Sequence, residues 1–270
     1  MTSTRQLVKS LVPQPLWNLS RAAWILIRHA AAWPLATIHP WRRASIRRLA
    51  ELKDSRRGQR AFILGNGPSL ARTDIQKLRG EQTLGLNRVF LAFPDWGFST
   101  SYFVCVNDLV IEQSVPEITG LNVPKFLSWR SRHFVDPDSH TIFLNSTYER
   151  PTFAKDVRGR VWEGATVTYV ALQLAYHMGF DPVFLIGVDH SFSSKGQPNS
   201  TVVSQGDDAD HFDPRYFGQG FRWQLPDLEA NERAYQMART AFERDGRRVL
   251  DATIGGLLTV FPKVEYNSLF

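Results

Sequence analysis

Ala61-Phe62-Ile63-Leu64-Gly65-Asn66-Gly67-Pro68-Ser69-Leu70 sets four consecutive apolar residues directly ahead of a turn bracketed by glycines. A short apolar run bounded by turn signals reads as a strand buried on both faces, as in a parallel sheet. The two glycines let the backbone pass close to another group, and Pro68 with Ser69 prepares a helix start. Exposed N–H groups in such a turn can receive a phosphate. No Gly-Lys-Ser/Thr follows, so this is not a Walker P-loop, and the spacing is not the usual dinucleotide fingerprint. A plain strand-to-helix turn suits the same residues.

The pattern repeats downstream. Thr83–Leu86, Tyr102–Val106, Lys125–Trp129, Thr141–Leu144, Val183–Ile186 and Arg248–Leu250 are further predicted strands, interleaved with predicted helices over Asp74–Leu78, Val167–Met178 and Pro226–Asp245. Val167, Val170, Ala171, Leu174 and Met178 share one helical face, with Gly179 as the stop. Such alternation predicts an α/β fold with a Rossmann-like, mostly parallel sheet flanked by helices. Gly65-Asn66, Asn87, Asn107-Asp108 and Asp189-His190 then fall at strand ends, where open α/β sheets bind ligands.

Charge divides the chain. Residues 1–60 hold 12 of the 32 Lys and Arg residues and two of the 26 acids, a net of +10. The remaining 20 basic and 24 acidic residues leave −4 for 61–270. The body therefore gives no nucleic-acid signal, and the basicity belongs to an extension, placed at 1–57 ahead of a body at 58–270. Four of the eight tryptophans (Trp17, Trp24, Trp33, Trp41) lie there too. Leu16, Leu19, Ala23, Leu26, Ala30 and Trp33 predict an amphipathic helix up to Pro34, followed by a basic run from Arg42 to Arg60. Tryptophan and arginine together suit an anionic membrane surface, and a helix packed on the body fits as well. Ala22–Ile27 is too short an apolar run to cross a bilayer. The single cysteine, Cys105, excludes an internal disulfide and multi-cysteine metal sites, which makes a reducing, cytoplasmic compartment the expectation, with peripheral attachment to the inner membrane face.

Two more stretches carry chemistry. In Gly164-Ala165-Thr166-Val167-Thr168 the hydroxyls of Thr166 and Thr168 and the first-turn amides suit a phosphate or carboxylate, or a simple helix cap. Asp207-Asp208-Ala209-Asp210-His211-Phe212-Asp213 sets a histidine among carboxylates, the pattern of a general base. Asp208 and Asp210 also have the spacing of a divalent-cation pair, and a solvated acidic loop fits too. Phe212, Tyr216, Phe217, Phe221 and Trp223 follow, as an acceptor platform or a subunit interface.

Gly65–Leu70, Gly85-Leu86-Asn87-Arg88, Val106-Asn107-Asp108, Gly164–Thr168 and Ile186-Gly187-Val188-Asp189-His190, in this order, resemble the MptE-like (6-hydroxymethylpterin diphosphokinase-like) domain family over roughly residues 58–270. The motif order is more remotely similar to bacterial family-42 sialyltransferases and flagellin-glycosylating proteins. The resemblance to sialyltransferases implies that Gly65, Asn66, Gly67, Pro68 and Ser69 lie against a CMP-sugar donor. It further implies nucleotide or donor contacts from Asn87, Asn107, Thr166 and Thr168, a catalytic role for Asp189, and His211 as the base that deprotonates the acceptor. Where those enzymes carry a phosphate-steadying tyrosine two residues after that aspartate, this chain has Ser191 as the donor-side residue; their second tyrosine has no counterpart, so that Lys195, Tyr216 or Arg222 would substitute.

The leading expectation is an inverting transferase that uses a CMP-activated, sialic-acid-like sugar and a glycan or lipid-linked acceptor in bacterial surface-glycan assembly. One leaving phosphate needs no metal if helix dipoles and hydroxyls meet its charge. The alternative is an ATP-dependent pyrophosphokinase of the 6-hydroxymethylpterin type, with Mg²⁺ held by Asp189, Asp208 and Asp210. A third reading is a non-catalytic scaffold that binds nucleotide sugars.

Overall fold

The computed structural model describes residues 35–194 and 196–270. The predicted amphipathic helix up to Pro34 lies outside the described residues. The chain divides into two compact units, Met1–Arg43 and Ala44–Phe270. The basic run opens as helix α1 (Pro40–Leu52). Its later residues belong to the second unit, where Leu49 is fully buried and its carbonyl accepts the Nε2–H of His177 at 2.7 Å. Residues 44–57, grouped by charge with the extension, thus include part of the body's core.

The second unit is organised by eight parallel strands: β1 (Ala61–Leu64), β2 (Thr83–Leu86), β3 (Tyr102–Cys105), β4 (Lys125–Ser128), β5 (Thr141–Thr147), β6 (Arg160–Trp162), β7 (Val183–Ile186) and, later in the chain, β10 (Val249–Asp251). Their order across the sheet is β10-β7-β1-β2-β3-β4-β5-β6. Each predicted strand is present, with ends shifted by up to three residues. The predicted helix over Asp74–Leu78 is a single 3₁₀ turn, Ile75–Leu78.

Period-two alternation explains why every residue of β1 is apolar. Ala61 and Ile63 face one core, with Leu84, Leu86 and Val104. Phe62 and Leu64 face the other, with Leu70, Phe184 and Ile186. The first core is capped by helix α3 (Val167–Met178), preceded in the chain by the short helix α2 (Asp108–Gln113). Residues 168–178 of α3 are buried all round, because the sheet covers one side and helix α4 (Leu228–Arg244) packs beside it. The sequence marks Glu229, Arg233, Gln236 and Arg239 as the wet face of α4; the first three are exposed, whereas Arg239 is half-buried and donates to Val260 O at 2.8 Å.

The strand order fixes where a ligand belongs. From β1 the chain runs outward through β2 to β6, then returns through α3 to place β7 on the other side of β1. The β1/β7 boundary is the topological switch point, where loops part and leave a crevice at the strands' carboxyl ends. Between β7 and α4 a long excursion carries a two-stranded antiparallel hairpin, β8 (Thr201–Val203) with β9 (Arg222–Gln224). Its strands, three residues each, are too short to stand out in the sequence. Arg222 ties the hairpin to α2: its backbone N–H and carbonyl pair with the Gln113 side chain at 2.9 and 2.8 Å.

Candidate functional site

The turn after β1 is held by the loop after β7. Gly65 N–H donates to Ile186 O at 2.7 Å and Gly67 N–H to Gly187 O at 2.9 Å. The Asp189 carboxylate accepts from Ser69 N–H at 3.1 Å and from Ser69 Oγ at 2.7 Å. A Cβ at Gly65 would stand 2.4 Å from Gly187 O, and one at Gly67 would stand 2.0 Å from Asp189 Oδ2. The glycines are therefore demanded by the chain's own close packing. This corrects the expectation of an open phosphate cradle: the amides of Gly65, Gly67 and Ser69 are committed internally, and Asp189 already occupies the anion position at the turn.

A cleft of about 140 Å³ opens at the switch point. Gly65, Asn66, Gly67, Asn87, Thr166, Thr168, Asp189, Ser191, Asp210 and His211, all singled out from sequence, line it. Pro68 and Ser69 stand behind the turn, outside that lining, and Asn107 lines a larger neighbouring cavity of about 550 Å³. Two amide oxygens in this region have no hydrogen-bond partner: Oδ1 of Asn66, a residue only 9% exposed, and Oδ1 of Asn87. Asn87 sits in the left-handed region, φ 48°, which asparagine tolerates better than most residues. Unpaired buried acceptors are costly, so a site that retains two is prepared for donors from a ligand.

α3 supplies the helix end. Thr166 is its N-cap, accepting from Thr168 N–H at 3.3 Å, and the first turn carries no acidic residue. The cap reading is met, and the same first turn of α3 lines both cavities. Twelve residues of aligned peptide dipoles favour an anion here.

His211 is shared by the two cavities. Its Nδ1–H donates to Asp208 Oδ2 at 2.7 Å, which leaves Nε2 as the nitrogen available to a ligand. The imidazole stacks on Tyr216 with centroids 3.9 Å apart and planes at 9°. Tyr216 is fixed from behind by Arg88, whose Nη1 donates to the carbonyls of Arg215 and Tyr216. Burial pushes the Tyr216 phenol well above its usual range, so it stays protonated.

The acidic neighbours of His211 are committed. Asp208 also accepts from Phe217 N–H at 3.1 Å and from Asp210 N–H at 2.8 Å. Asp210 accepts from Ser193 N–H at 2.6 Å and from Ser194 Oγ at 2.8 Å. Burial works to raise the Asp210 carboxyl, but those serine hydrogen bonds outweigh it and hold it below the usual carboxylate range. Asp189, Asp208 and Asp210 therefore do not fit the Mg²⁺ site of the pyrophosphokinase reading, because each carboxylate is engaged with a different partner. No three His, Cys, Asp or Glu residues among those described form a metal-holding group.

Among the residues expected to replace the second missing tyrosine, Tyr216 lines the cleft, whereas Arg222 is on β9 in an ion pair with Glu112 at 3.0 Å. Lys195 lies outside the described residues. Of two further lining residues, His190 stands out in the sequence only by its strand-end position, and Glu163 does not stand out at all. His190, at φ 56°, lines the cleft and pairs through Nε2 with Glu232 at 3.0 Å, its ring edge-on to Tyr235. Glu163, 5% exposed in the larger cavity, is pushed up by burial, against the pull of Arg130 at 2.7 Å. Strand-end position is the signal that places His190; Glu163 directly precedes the Gly164 turn. No helix among the described residues is long and apolar enough to cross a membrane.

The fold recurs in a glycosyltransferase structure. The MAf glycosyltransferase from Magnetospirillum magneticum AMB-1 aligns with a TM-score of 0.51 at 15% identity, over 84% of this chain. That alignment covers 38% of the other protein, so this chain spans well under half of its length. A mammalian sialyltransferase in complex with Gal-beta-1-3GalNAc-ortho-nitrophenol aligns at a TM-score of 0.37 and 12% identity, over 81% of this chain and 80% of that one. No family model matches the sequence. No curated protein matches it either.

Proposed function

We propose that the protein is a glycosyltransferase that takes a nucleotide-activated sugar, with CMP-activated nonulosonate as the donor. The observation that carries this reading is His211 at the junction of two cavities, its Nδ1 held by Asp208. A base so placed meets donor and acceptor at once. The shared fold with a glycosyltransferase supports the class.

In this mechanism the nucleotide lies at the β1/β7 switch point, with Asn66 and Asn87 accepting hydrogen bonds from it. The phosphate and donor carboxylate face the first turn of α3 and the Thr166 and Thr168 hydroxyls. His211 Nε2 removes the acceptor proton, and the acceptor oxygen displaces CMP from the opposite face, with inversion. Among the described residues of the cleft there is no lysine or arginine, so positive potential comes from the N-terminal end of α3. In this reading the extension holds the enzyme at the anionic inner face of the membrane, beside lipid-linked acceptors.

Thermal shift with CMP, CDP, UDP, ADP and ATP, with and without Mg²⁺, tests the reading. CMP at a hundred times its Kd contributes about 2.7 kcal/mol, a rise on the order of 5 °C or more for a chain of this size. Selective stabilisation by CMP without metal is the expected result. Stabilisation by ATP with Mg²⁺ alone overturns it. Slow hydrolysis of a CMP-sugar, abolished in His211→Ala, separates the transferase from a binding scaffold.

A further inference from the structure

The larger cavity differs in chemistry from the cleft. At about 550 Å³ it falls within the roughly 300–1,000 Å³ of small-molecule sites. Its aromatic wall starts at His211: Phe217 packs edge-on against the imidazole at 4.9 Å, and Trp223 stacks on Phe217 at 5.0 Å and 22°. Trp162 and Tyr148 contribute further ring surface. The Trp162 ring is fixed by its Nε1–H, which donates to Tyr148 O at 3.2 Å.

The polar lining points the same way. Asn107 spends its Oδ1 on the first-turn amides of α2, at 3.0 and 3.3 Å, which leaves its NH₂ as the donor side. Glu163 and Asp227 are carboxylates, and no lysine or arginine lies among the described lining residues. Arg130 pairs with Glu163 at 2.7 Å from outside the lining, which leaves Asp227, without an ion-pair partner among the described residues, to repel a phosphate, sulfate or carboxylate, the more so where water is partly excluded. A ligand that fits must offer an apolar face of polarised C–H groups to the rings, whose faces are electron-rich, and hydroxyls to the amides and carboxylates. A pyranose ring has both.

We infer that this cavity is the acceptor subsite for an uncharged saccharide, laid against Trp223 with one hydroxyl toward His211 Nε2. The label "acceptor" rests on the transferase reading; the preference for a neutral sugar rests on the cavity alone. Phe217 and Trp223 thus serve as acceptor platform, with Trp223 as the specificity-determining ring.

Saturation-transfer NMR on the full chain tests this, with lactose, maltose and N,N′-diacetylchitobiose as neutral probes, digalacturonate as an anionic one and CMP as the probe of the cleft. The expected result is saturation of the C–H face of at least one neutral disaccharide and none of digalacturonate. Trp223→Ala should abolish the signal, Trp223→Phe should keep part of it, and CMP binding should persist in both. Digalacturonate binding as well as the neutral sugars, no neutral probe binding, or a signal indifferent to Trp223→Ala overturns the inference. CMP binding without any disaccharide defeats the subsite alone. A disaccharide bound through Trp223 without CMP binding defeats the donor reading and leaves the saccharide site standing.

Discussion

Asp208 and His211 form a hydrogen-bonded pair at 2.7 Å, three residues apart on one loop, with the ring clamped between the carboxylate and the Tyr216 face. The carboxylate fixes the tautomer in which Nδ1 carries the proton and Nε2 is free to accept one. Asp208→Asn removes that preference while nearly preserving shape. Under the proposed mechanism transfer should fall roughly 10²–10⁴-fold, with the nucleotide affinity unchanged. Steady-state rates beside calorimetric CMP titration check it; an unaltered rate would remove His211 from the base role.

Gly67→Ala addresses the turn. The new Cβ would meet the Asp189 carboxylate at 2.0 Å, so either the Ser69–Asp189 link or the β1 turn must move. Overpacking of this kind costs about 1–3 kcal/mol. Urea unfolding should show that loss together with weaker CMP binding, because the displaced groups line the cleft. Normal stability and normal binding together would contradict the tight fit.

The strand framework was legible because β1, β3 and β7 are runs of apolar residues, and β2 and β4 keep an apolar centre, all buried on both faces, a pattern that needs no partner to be read. The cleft was half legible: residues at strand ends were found, since parallel topology dictates where loops converge. What the sequence does not carry is commitment. Nothing local says that Asp189 spends its carboxylate on Ser69, 120 residues away, or that Asp210 spends its own on Ser193 and Ser194. An acidic cluster therefore reads as a cation pair until the fold supplies the donors. β6, β8 and β9 escaped for a related reason, being three residues long each and specified by tertiary pairing.

Asn66→Ala should separate stability from binding. Its Oδ1 is buried without a partner, while its backbone carbonyl, which accepts from Phe212 N–H at 2.9 Å, survives the substitution. Removing an unsatisfied acceptor costs little folding free energy or adds to it. Losing a hydrogen bond to ligand costs about 1.4 kcal/mol, roughly tenfold in Kd. Melting temperature and CMP affinity, measured on the same sample, should therefore diverge. A parallel fall in both would mark Asn66 as a structural residue.

Acid should weaken the β4–β5 edge through one identifiable pair. Lys125 Nζ, on a side chain 1% exposed, donates to Asp138 at 2.6 Å and to Leu121 O at 2.9 Å. Burial works to raise the Asp138 carboxyl, but hydrogen bonds from Lys125, Thr141 and His140 lower it to about 2. A carboxyl depressed on folding contributes stability that is present above its unfolded value of about 3.9 and lost as pH falls through the folded one. Because Asp138 is 41% exposed, solvent screening leaves about 1 kcal/mol of this. Asp138→Asn should lower stability at pH 7 and flatten its decline between about pH 5 and 2 relative to the unsubstituted protein. Urea midpoints across that range give the difference directly, and parallel curves for the two proteins would show that Lys125 draws no stability from Asp138.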